Sequence, residues 1–145
     1  MKLIIDQSLE NNDVEIIIKC GVIDKKLEEL IAQIRLYTFS ITGKKDGATH
    51  IIKLEDIFYF ESVNENTFIY CKQEVFECDM RLYEIENMLE KTSFVRISKA
   101  CILNTTYVES VKAYINGRFE ATLENKEKMI VNRHYVQAFK DKFDL

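Results

Sequence analysis

The sequence contains no proline and no tryptophan, and only four of its 145 residues are glycine. It has neither a G-x-x-x-x-G-K nor a G-x-G-x-x-G pattern, so a typical phosphate-binding loop is excluded. The four cysteines form no C-x-x-C pair, and His50 and His134 are far apart, so we expect neither a zinc site nor another cofactor. We expect each cysteine to be a reduced, buried thiol.

Long apolar runs are missing as well. No stretch approaches the roughly 18 apolar residues of a membrane-spanning helix. The N-terminus becomes acidic at Asp6 and lacks a signal-peptide pattern, so we predict a cytoplasmic protein. Neither G-x-S-x-G nor H-E-x-x-H occurs, so we predict no enzymatic activity and no small-molecule substrate. A small enzyme stays open as an alternative, because catalytic residues often meet only in the fold.

The charges are unevenly distributed. The net charge is −4, which disfavours a polyanionic partner in general. Residues 49–95 carry 4 basic and 10 acidic side chains, whereas residues 96–145 carry 9 basic and 6 acidic ones. A locally positive face on an acidic protein can still bind DNA, with a strong dependence on salt.

The pattern along the chain predicts a small extension followed by one main domain. Val14–Cys20 is rich in β-branched residues and predicts a strand, and Asp24 is expected to cap a helix that runs to about Arg35. A strand is expected over Leu36–Ile41 and a loop over Thr42–Gly47. We therefore predict a strand–helix extension at residues 1–47 and a main domain at residues 48–145.

The main domain predicts an α+β fold that is mostly antiparallel β-structure. Asn116–Gly117 is a strong signal for a hairpin turn, since both positions tolerate positive φ. Asp79 and Asn132 are expected to cap two further helices. The expected strands lie near residues 49–54, 57–61, 66–71, 74–78, 94–97, 101–103, 107–115, 118–123 and 128–131.

Hydrogen-bond donors are concentrated in Ser93–Asn104, where Arg96, Ser98 and Lys99 interrupt an apolar strand pattern. Asn132 and Arg133 form a second polar group after the Asn-Gly hairpin. A core strand has no need of such donors, whereas a protein that contacts phosphates and base edges does.

The order of these segments resembles the LytTR family of bacterial DNA-binding domains over roughly residues 48–145. The resemblance implies β-sheets with flanking helices that bind duplex DNA through loops in successive major grooves, and hence a transcription regulator. It is carried by Ile57–Ser62, Ser93–Lys99, Ile102–Asn104, Tyr107–Val111, Asn116–Gly117 and Val131–Tyr135.

The resemblance also suggests which residues contact DNA. Ser98 stands where the family often has histidine, which affects the expected sequence preference. Arg96 and Asn104 match motif positions but have structural alternatives, an ion pair for Arg96 and a turn for Asn104. The implied contacts are Lys99, Arg133, Ser98, Arg96, Asn132, Ser62, Asn64 and Asn66.

Two further expectations concern organisation. About 48 residues precede the motif, too few for a receiver domain of about 120 residues, so we expect the standalone form of the family. The apolar extension is expected to dock on the main domain or to form a homodimer.

The competing function is a β-rich protein-interaction adaptor that has lost DNA binding, which the acidic middle third and Ser98 favour slightly.

Overall fold

All 145 residues are described in a computed structural model, which contains three α-helices and ten β-strands. The helices are α1 (Lys25–Thr38), α2 (Leu82–Met88) and α3 (Val136–Asp141). The strands are β1 (Ser40–Lys45), β2 (Ala48–Lys53), β3 (Ile57–Val63), β4 (Asn66–Cys71), β5 (Val75–Cys78), β6 (Phe94–Ser98), β7 (Cys101–Asn104), β8 (Val108–Ala113), β9 (Phe119–Leu123) and β10 (Lys128–Val131). The predicted α+β class with antiparallel sheets is confirmed.

The strands form two sheets. A seven-stranded sheet has the order β2-β1-β5-β4-β3-β7-β6, and a three-stranded sheet has the order β10-β9-β8. Every pairing is antiparallel. The central strands are dense in β-branched and aromatic residues, as in Ile57–Phe60, which suits a surface that is covered on both faces.

Two apolar cores cover the two faces of the large sheet. One contains Phe60 together with Ile85 and Leu89 of the α2 region, and it also receives Leu36 of α1. The other lies between the large sheet and the small one, where Phe139 of α3 belongs to the same buried cluster as Leu103. Burial of large side chains such as Phe139 is typically worth about 3–5 kcal/mol against alanine, so both cores hold the strand ends in fixed positions.

Three hairpins turn through pairs of residues with positive φ. These pairs are Asp46–Gly47, Asn64–Glu65 and Asn116–Gly117. At the last of them φ is 58° for Asn116 and 73° for Gly117, which confirms the predicted turn. Because such turns match the right-handed twist of strands, they fix the register of each hairpin.

The start of the main domain differs from the prediction in part. Asp24 caps α1 as expected, since its carboxylate accepts a hydrogen bond of 2.9 Å from the Leu27 amide. The strand predicted at Leu36–Ile41 is wrong for its first half, because α1 continues to Thr38 and buries Leu36 in the core, whereas Ser40 and Ile41 do begin β1. The predicted loop at Thr42–Gly47 is also mostly strand, and the proposed domain boundary at residue 47 falls in the turn between β1 and β2.

The predicted strand at Val14–Cys20 is not formed. Residues 1–24 contain no helix or strand, and all of them are exposed. A strand with apolar residues on both faces needs partners on both sides, and this segment has none within the chain. Cys20 is therefore exposed, which corrects the expectation that every thiol is buried, although Cys78 and Cys101 are buried.

The two remaining helix caps also differ from the prediction. Residue Arg81, not Asp79, precedes α2, and its backbone N–H donates to the Glu84 carboxylate at 3.1 Å. Asp79 instead pairs with Lys44. Asn132 precedes a single 3₁₀ turn rather than α3 itself, and its side chain makes no capping bond. No helix is long and apolar enough to cross a lipid bilayer.

Candidate nucleic-acid interface

Two turns of the large sheet emerge at the same end. Strands β3 and β6 flank β7 and are both antiparallel to it, so they run in the same direction. The β3–β4 turn and the β6–β7 turn therefore lie side by side. The backbone N–H of Ser62 donates to the Ala100 carbonyl at 2.8 Å and ties the two turns together.

The small sheet adds two more segments at this end. Strands β8 and β10 flank β9 in the same way, which brings the β8–β9 hairpin next to the β10–α3 junction. The Asn132 N–H donates to the Ile97 carbonyl at 2.9 Å and joins this junction to β6. We call the four segments the turn cluster: Ser62–Asn66, Ser98–Ala100, Tyr114–Arg118 and Asn132–His134.

The turn cluster contains two cationic side chains without partners. Lys99 and Arg133 are both exposed, and neither forms a salt bridge or a side-chain hydrogen bond. By contrast, Lys112 and Lys128 both pair with Glu120, at 3.5 and 3.8 Å. The sequence-predicted pair Lys99 and Arg133 is therefore free to meet an external anion.

Arg133 is supported by the neighbouring hairpin. A Cβ atom added to Gly117 would lie 3.1 Å from Arg133 Cδ and 3.3 Å from its Cγ. The aliphatic part of Arg133 therefore rests on the bare Gly117 backbone. Glycine is needed here for a second reason, since φ of +73° disfavours any residue with a Cβ.

The other residues predicted in the central segment hold the turn together. The Ser98 hydroxyl accepts a hydrogen bond of 3.2 Å from the Ala100 N–H. Arg96 is largely buried, and its guanidinium donates to the carbonyls of Ser98, at 2.8 Å, and of Lys99. It also lies 3.5 Å from the Glu86 carboxylate. This geometry favours the structural interpretation of Arg96 and leaves Lys99 as the outward-facing cation of the turn.

Besides Ser98, the four other amide and hydroxyl residues predicted as contacts also lie in the turn cluster. Asn64 occupies the tip of the β3–β4 turn with φ of 50°, and Asn66 follows it as an exposed residue at the start of β4. Ser62 is half-buried beside Ala100, and Asn132 is exposed at the β10–α3 junction. The structure thus brings all eight predicted site residues to the same end of the sandwich, although some of them are exposed and others are partly buried.

Asn104, the other motif residue with two interpretations, is fully buried. Its carboxamide donates to the Ile57 carbonyl at 2.9 Å and accepts hydrogen bonds from the Thr106 N–H at 3.1 Å and from the Ser93 hydroxyl. Such a satisfied buried amide fixes the end of β7 and is not available to a ligand.

Sequence reasoning missed two basic residues of the turn cluster. Arg118 lies with its guanidinium 5.1 Å from the centre of the Tyr114 ring, and its Nε donates to the Ile115 carbonyl at 3.1 Å. His134 is exposed next to Arg133. The signal for Arg118 was its position directly after the Asn-Gly turn, since strand direction then places it beside the β10–α3 junction.

The opposite end of the sandwich carries carboxylates. An open groove there is lined by Asp56, Cys71, Glu74, Tyr107 and Glu124, among other residues. Burial raises the pKa of the Cys71 thiol to about 11, with Asp56 and Glu74 adding to the effect. No group of three or more His, Cys, Asp or Glu side chains is placed to hold a metal ion.

The exposed cations and amides on these adjacent turns are side chains that can contact phosphates and base edges. A family model described as the LytTr DNA-binding domain matches residues 47–144, and the chain belongs to this family. The protein is accordingly a DNA-binding transcription regulator.

Several known proteins are similar to this chain. An uncharacterised HTH-type transcriptional regulator from Staphylococcus aureus strain NCTC 8325 is 29% identical over 106 residues, which cover 73% of this chain and 71% of that protein. Its counterpart in strain MRSA252 is 28% identical over the same length, with the same coverage. The solved structure of a LytTr DNA-binding domain from Bacillus cereus superposes with a TM-score of 0.69 at 20% identity, covering 73% of this chain and 97% of that one, and so supports the fold.

Proposed function

We propose that the protein recognises a specific duplex-DNA sequence with the turn cluster, and that turns rather than a helix enter the grooves. The observation that carries this proposal is the placement of Lys99 and Arg133, two exposed cations without protein partners, on turns that backbone hydrogen bonds join at one end of the sandwich. The similar S. aureus proteins bear the name HTH-type. In this chain, however, a strand follows both α1 and α2, so no pair of consecutive α-helices is available.

The chemistry of the turn cluster suits base edges as well as phosphates. Lysine and arginine donate to the two acceptors of guanine, and asparagine can bond adenine with both donor and acceptor. Arg133 and Lys99 supply the first type of contact, and Asn64, Asn66 and Asn132 supply the second. We infer that Ser98, whose hydroxyl already accepts from Ala100, contributes less to sequence preference than these residues do.

The remaining features of the proposed function follow from this assignment. DNA is the partner, so we place the protein in the bacterial cytoplasm, and we infer no catalytic role, no cofactor and no small-molecule substrate. We also propose that it acts as a homodimer. Support for the dimer comes from the exposed apolar residues of positions 1–24, which nothing within the chain covers.

The alternative is a protein-interaction adaptor with the same fold. The carboxylates of Glu74, Glu124 and their neighbours favour it, because they would suit a basic protein partner. The two functions differ in how they respond to polyanions. A DNA binder is retained on heparin and released by salt, whereas an adaptor that binds through its acidic end is not retained.

Selection of bound fragments from the source genome tests the proposed function. We expect one recurring sequence motif, and we expect the logarithm of its affinity to fall linearly with the logarithm of salt concentration, by roughly 0.9 for each phosphate that is neutralised. Recovery of random fragments together with no retention on heparin would contradict the proposal and favour the adaptor.

A further inference from the structure

Residues 1–24, which we call the arm, expose an unusual number of large apolar side chains. Val14, Ile16 and Ile17 are 95%, 59% and 68% exposed, and the first part of the arm is similar. A monomeric protein seldom leaves so much contiguous apolar surface in water. The exposed apolar residues of the arm are Met1, Leu3, Ile4, Ile5, Leu9, Val14, Ile16, Ile17, Ile18, Val22 and Ile23.

The arm is bent back on itself. The Asn11 backbone N–H donates to the Ser8 carbonyl at 3.1 Å, and the Asn11 side chain donates to the Asp6 carbonyl at 3.2 Å. Leu3–Gln7 and Val14–Ile17 line the two sides of one open groove around this turn. The arm therefore has the outline of a hairpin, but no ladder of hydrogen bonds joins its sides. A two-stranded hairpin is at best marginal alone and needs further strands.

The segment Val14–Cys20 forms the second side of the arm. Its charged and apolar residues match those of a second copy when the two copies run antiparallel. In an antiparallel pairing centred on Ile17, Glu15 of one chain stands opposite Lys19 of the other. Ile16 stands opposite Ile18, and Val14 stands opposite Cys20. Opposite charges and apolar groups directly across a strand pair each stabilise it. Neither a shift by one residue nor a parallel alignment puts Glu15 opposite Lys19.

On this basis we propose that Val14–Cys20 pairs antiparallel with the same segment of a second copy of the chain, with a twofold axis at Ile17. This proposal rests on the homodimer suggested above and assigns its interface. A twofold interface uses the same surface on both copies, which an antiparallel self-pairing satisfies. In the paired ribbon one face carries Val14, Ile16, Ile18 and Cys20 of both chains, and Leu3–Ile5 supplies an outer strand on each side.

The charge of the arm argues against nucleic acid as its partner. The arm has two lysines, Lys2 and Lys19, against five carboxylates. It would therefore be repelled by phosphates, whereas the self-pairing neutralises Glu15 and Lys19. Joining two arms also joins two turn clusters, and the second DNA contact then gains from effective concentration without any new base contact.

The test begins with the oligomeric state of the full-length chain, measured by sedimentation at tens of micromolar without DNA. We expect a dimer for the wild type and a dissociation constant raised more than tenfold for Ile17→Lys, because two lysines would then meet at the axis. Ile51→Lys is the matched control, since Ile51 is 79% exposed on β2 and outside the arm, and it should stay dimeric. A monomeric wild type, or a dimeric Ile17→Lys, would overturn the proposed interface.

Charge reversal tests the register. Glu15→Lys and Lys19→Glu should each weaken the dimer about tenfold, since each variant places like charges opposite one another twice. A mixture of the two variants should form a heterodimer with close to wild-type affinity, because both opposing pairs are then attractive. Failure of the mixture to associate better than the single variants would contradict the register.

The affinity for a single DNA half-site separates this proposal from the proposed function. Each arm variant should bind a half-site as the wild type does, because the arm has no residue in the turn cluster. If the wild-type protein does not bind a half-site, the proposed function is contradicted, whatever the oligomeric state.

Discussion

The two ends of the β-sandwich differ in how their charges are arranged. At the turn cluster, Lys99 and Arg133 are exposed and have no carboxylate partner. At the opposite end the carboxylates are the majority, and two of the lysines there are engaged, Lys45 with Glu74 and Lys126 with Glu109. The same fold therefore presents an electrostatic contrast between its ends.

With DNA bound at the turn cluster, as proposed, this contrast would explain how a protein of net charge −4 binds DNA. A strand as long as β3, with seven residues, spans roughly 23 Å at 3.3 Å per residue. The Debye length at physiological ionic strength is about 8 Å. Phosphates bound at the turn cluster, as proposed, would therefore be largely screened from the acidic end, and the local charge rather than the net charge would decide binding.

The largest expected effect comes from removing the free cations. Arg133→Ala and Lys99→Ala should each weaken binding to the specific site by roughly 5- to 150-fold, because a good base contact is worth about 1–3 kcal/mol. Fluorescence anisotropy on the selected site measures this effect. Lys72→Ala is the matched control, since Lys72 is an exposed lysine without an ion pair at the opposite end, and its affinity should not change.

The salt dependence of the same variants distinguishes base contacts from phosphate contacts. A variant that loses only a phosphate contact should bind all sequences more weakly and reduce the salt slope by about one. If Lys72→Ala weakened binding as much as Arg133→Ala does, the proposed contrast between the two ends would be wrong.

Arg96→Ala should have the next largest effect, because this side chain fixes the turn that carries Lys99. The variant loses hydrogen bonds from a guanidinium to the carbonyls of Ser98 and Lys99, each worth about 1.5–3 kcal/mol. We expect a lower free energy of unfolding, measured in urea. We also expect the affinity for the specific site to fall roughly tenfold, a change in binding free energy that lies within the range of about 1–3 kcal/mol for one base contact. Glu86→Gln is the control, because Arg96 then keeps its hydrogen bonds to both carbonyls, and it should change the DNA affinity little. A loss of affinity equal to that of Arg96→Ala would show that the ion pair between Arg96 and Glu86 matters rather than the shape of the turn.

Gly117→Ala should have a smaller effect on binding, with Gly47→Ala as its control. Both glycines have positive φ, +73° and +76°, so both alanines impose a similar backbone strain of roughly 1–2 kcal/mol. Only at Gly117 does the new Cβ meet Arg133, since nothing lies within 4 Å of the Cβ position at Gly47. We expect the two variants to lose similar amounts of stability. Only Gly117→Ala should also bind DNA more weakly, by about threefold to tenfold, which corresponds to part of the free energy of one base contact. Equal affinities would mean that Gly117 does not position Arg133.

Much of the main domain could be predicted from local sequence, because its strands are short, β-branched and bounded by turn residues. The Asn116–Gly117 turn is an example, since its geometry depends only on two residues that accept positive φ. The N-terminal part was harder to predict. Leu36 is in a helix because packing buries it there, and Val14–Cys20 lacks the partner strand that its composition requires.

The site shows the same division. The exposure of Lys99 and Arg133 on turns could be predicted because basic residues interrupt an apolar pattern there. The role of Arg96 could not be decided from sequence, because its partners are backbone carbonyls of a turn whose shape appears only in the fold. Arg118 was missed because its closeness to the β10–α3 junction depends on the pairing of β9 with β10, which places Phe119 opposite Val131.

The smallest expected effect is a few-fold change in thiol reactivity when DNA binds, measured at both ends of the sandwich in one experiment. Cys101 follows the β6–β7 turn directly, and burial raises the pKa of its thiol to about 12, whereas the pKa of Cys71 at the opposite end is raised to about 11. Since the thiolate is the reactive form and Cys101 is the more buried of the two, Cys71 should be alkylated faster than Cys101 at pH 8 in a Cys20→Ser background, which removes the exposed thiol. Peptide mapping reads the two sites separately from Cys78. Both rates should rise about tenfold per pH unit below these pKa values. Bound DNA should slow alkylation of Cys101 a few-fold, because it would cover the β6–β7 turn that Cys101 follows, and should leave Cys71 unchanged. Protection of Cys71 instead would place the DNA at the acidic end.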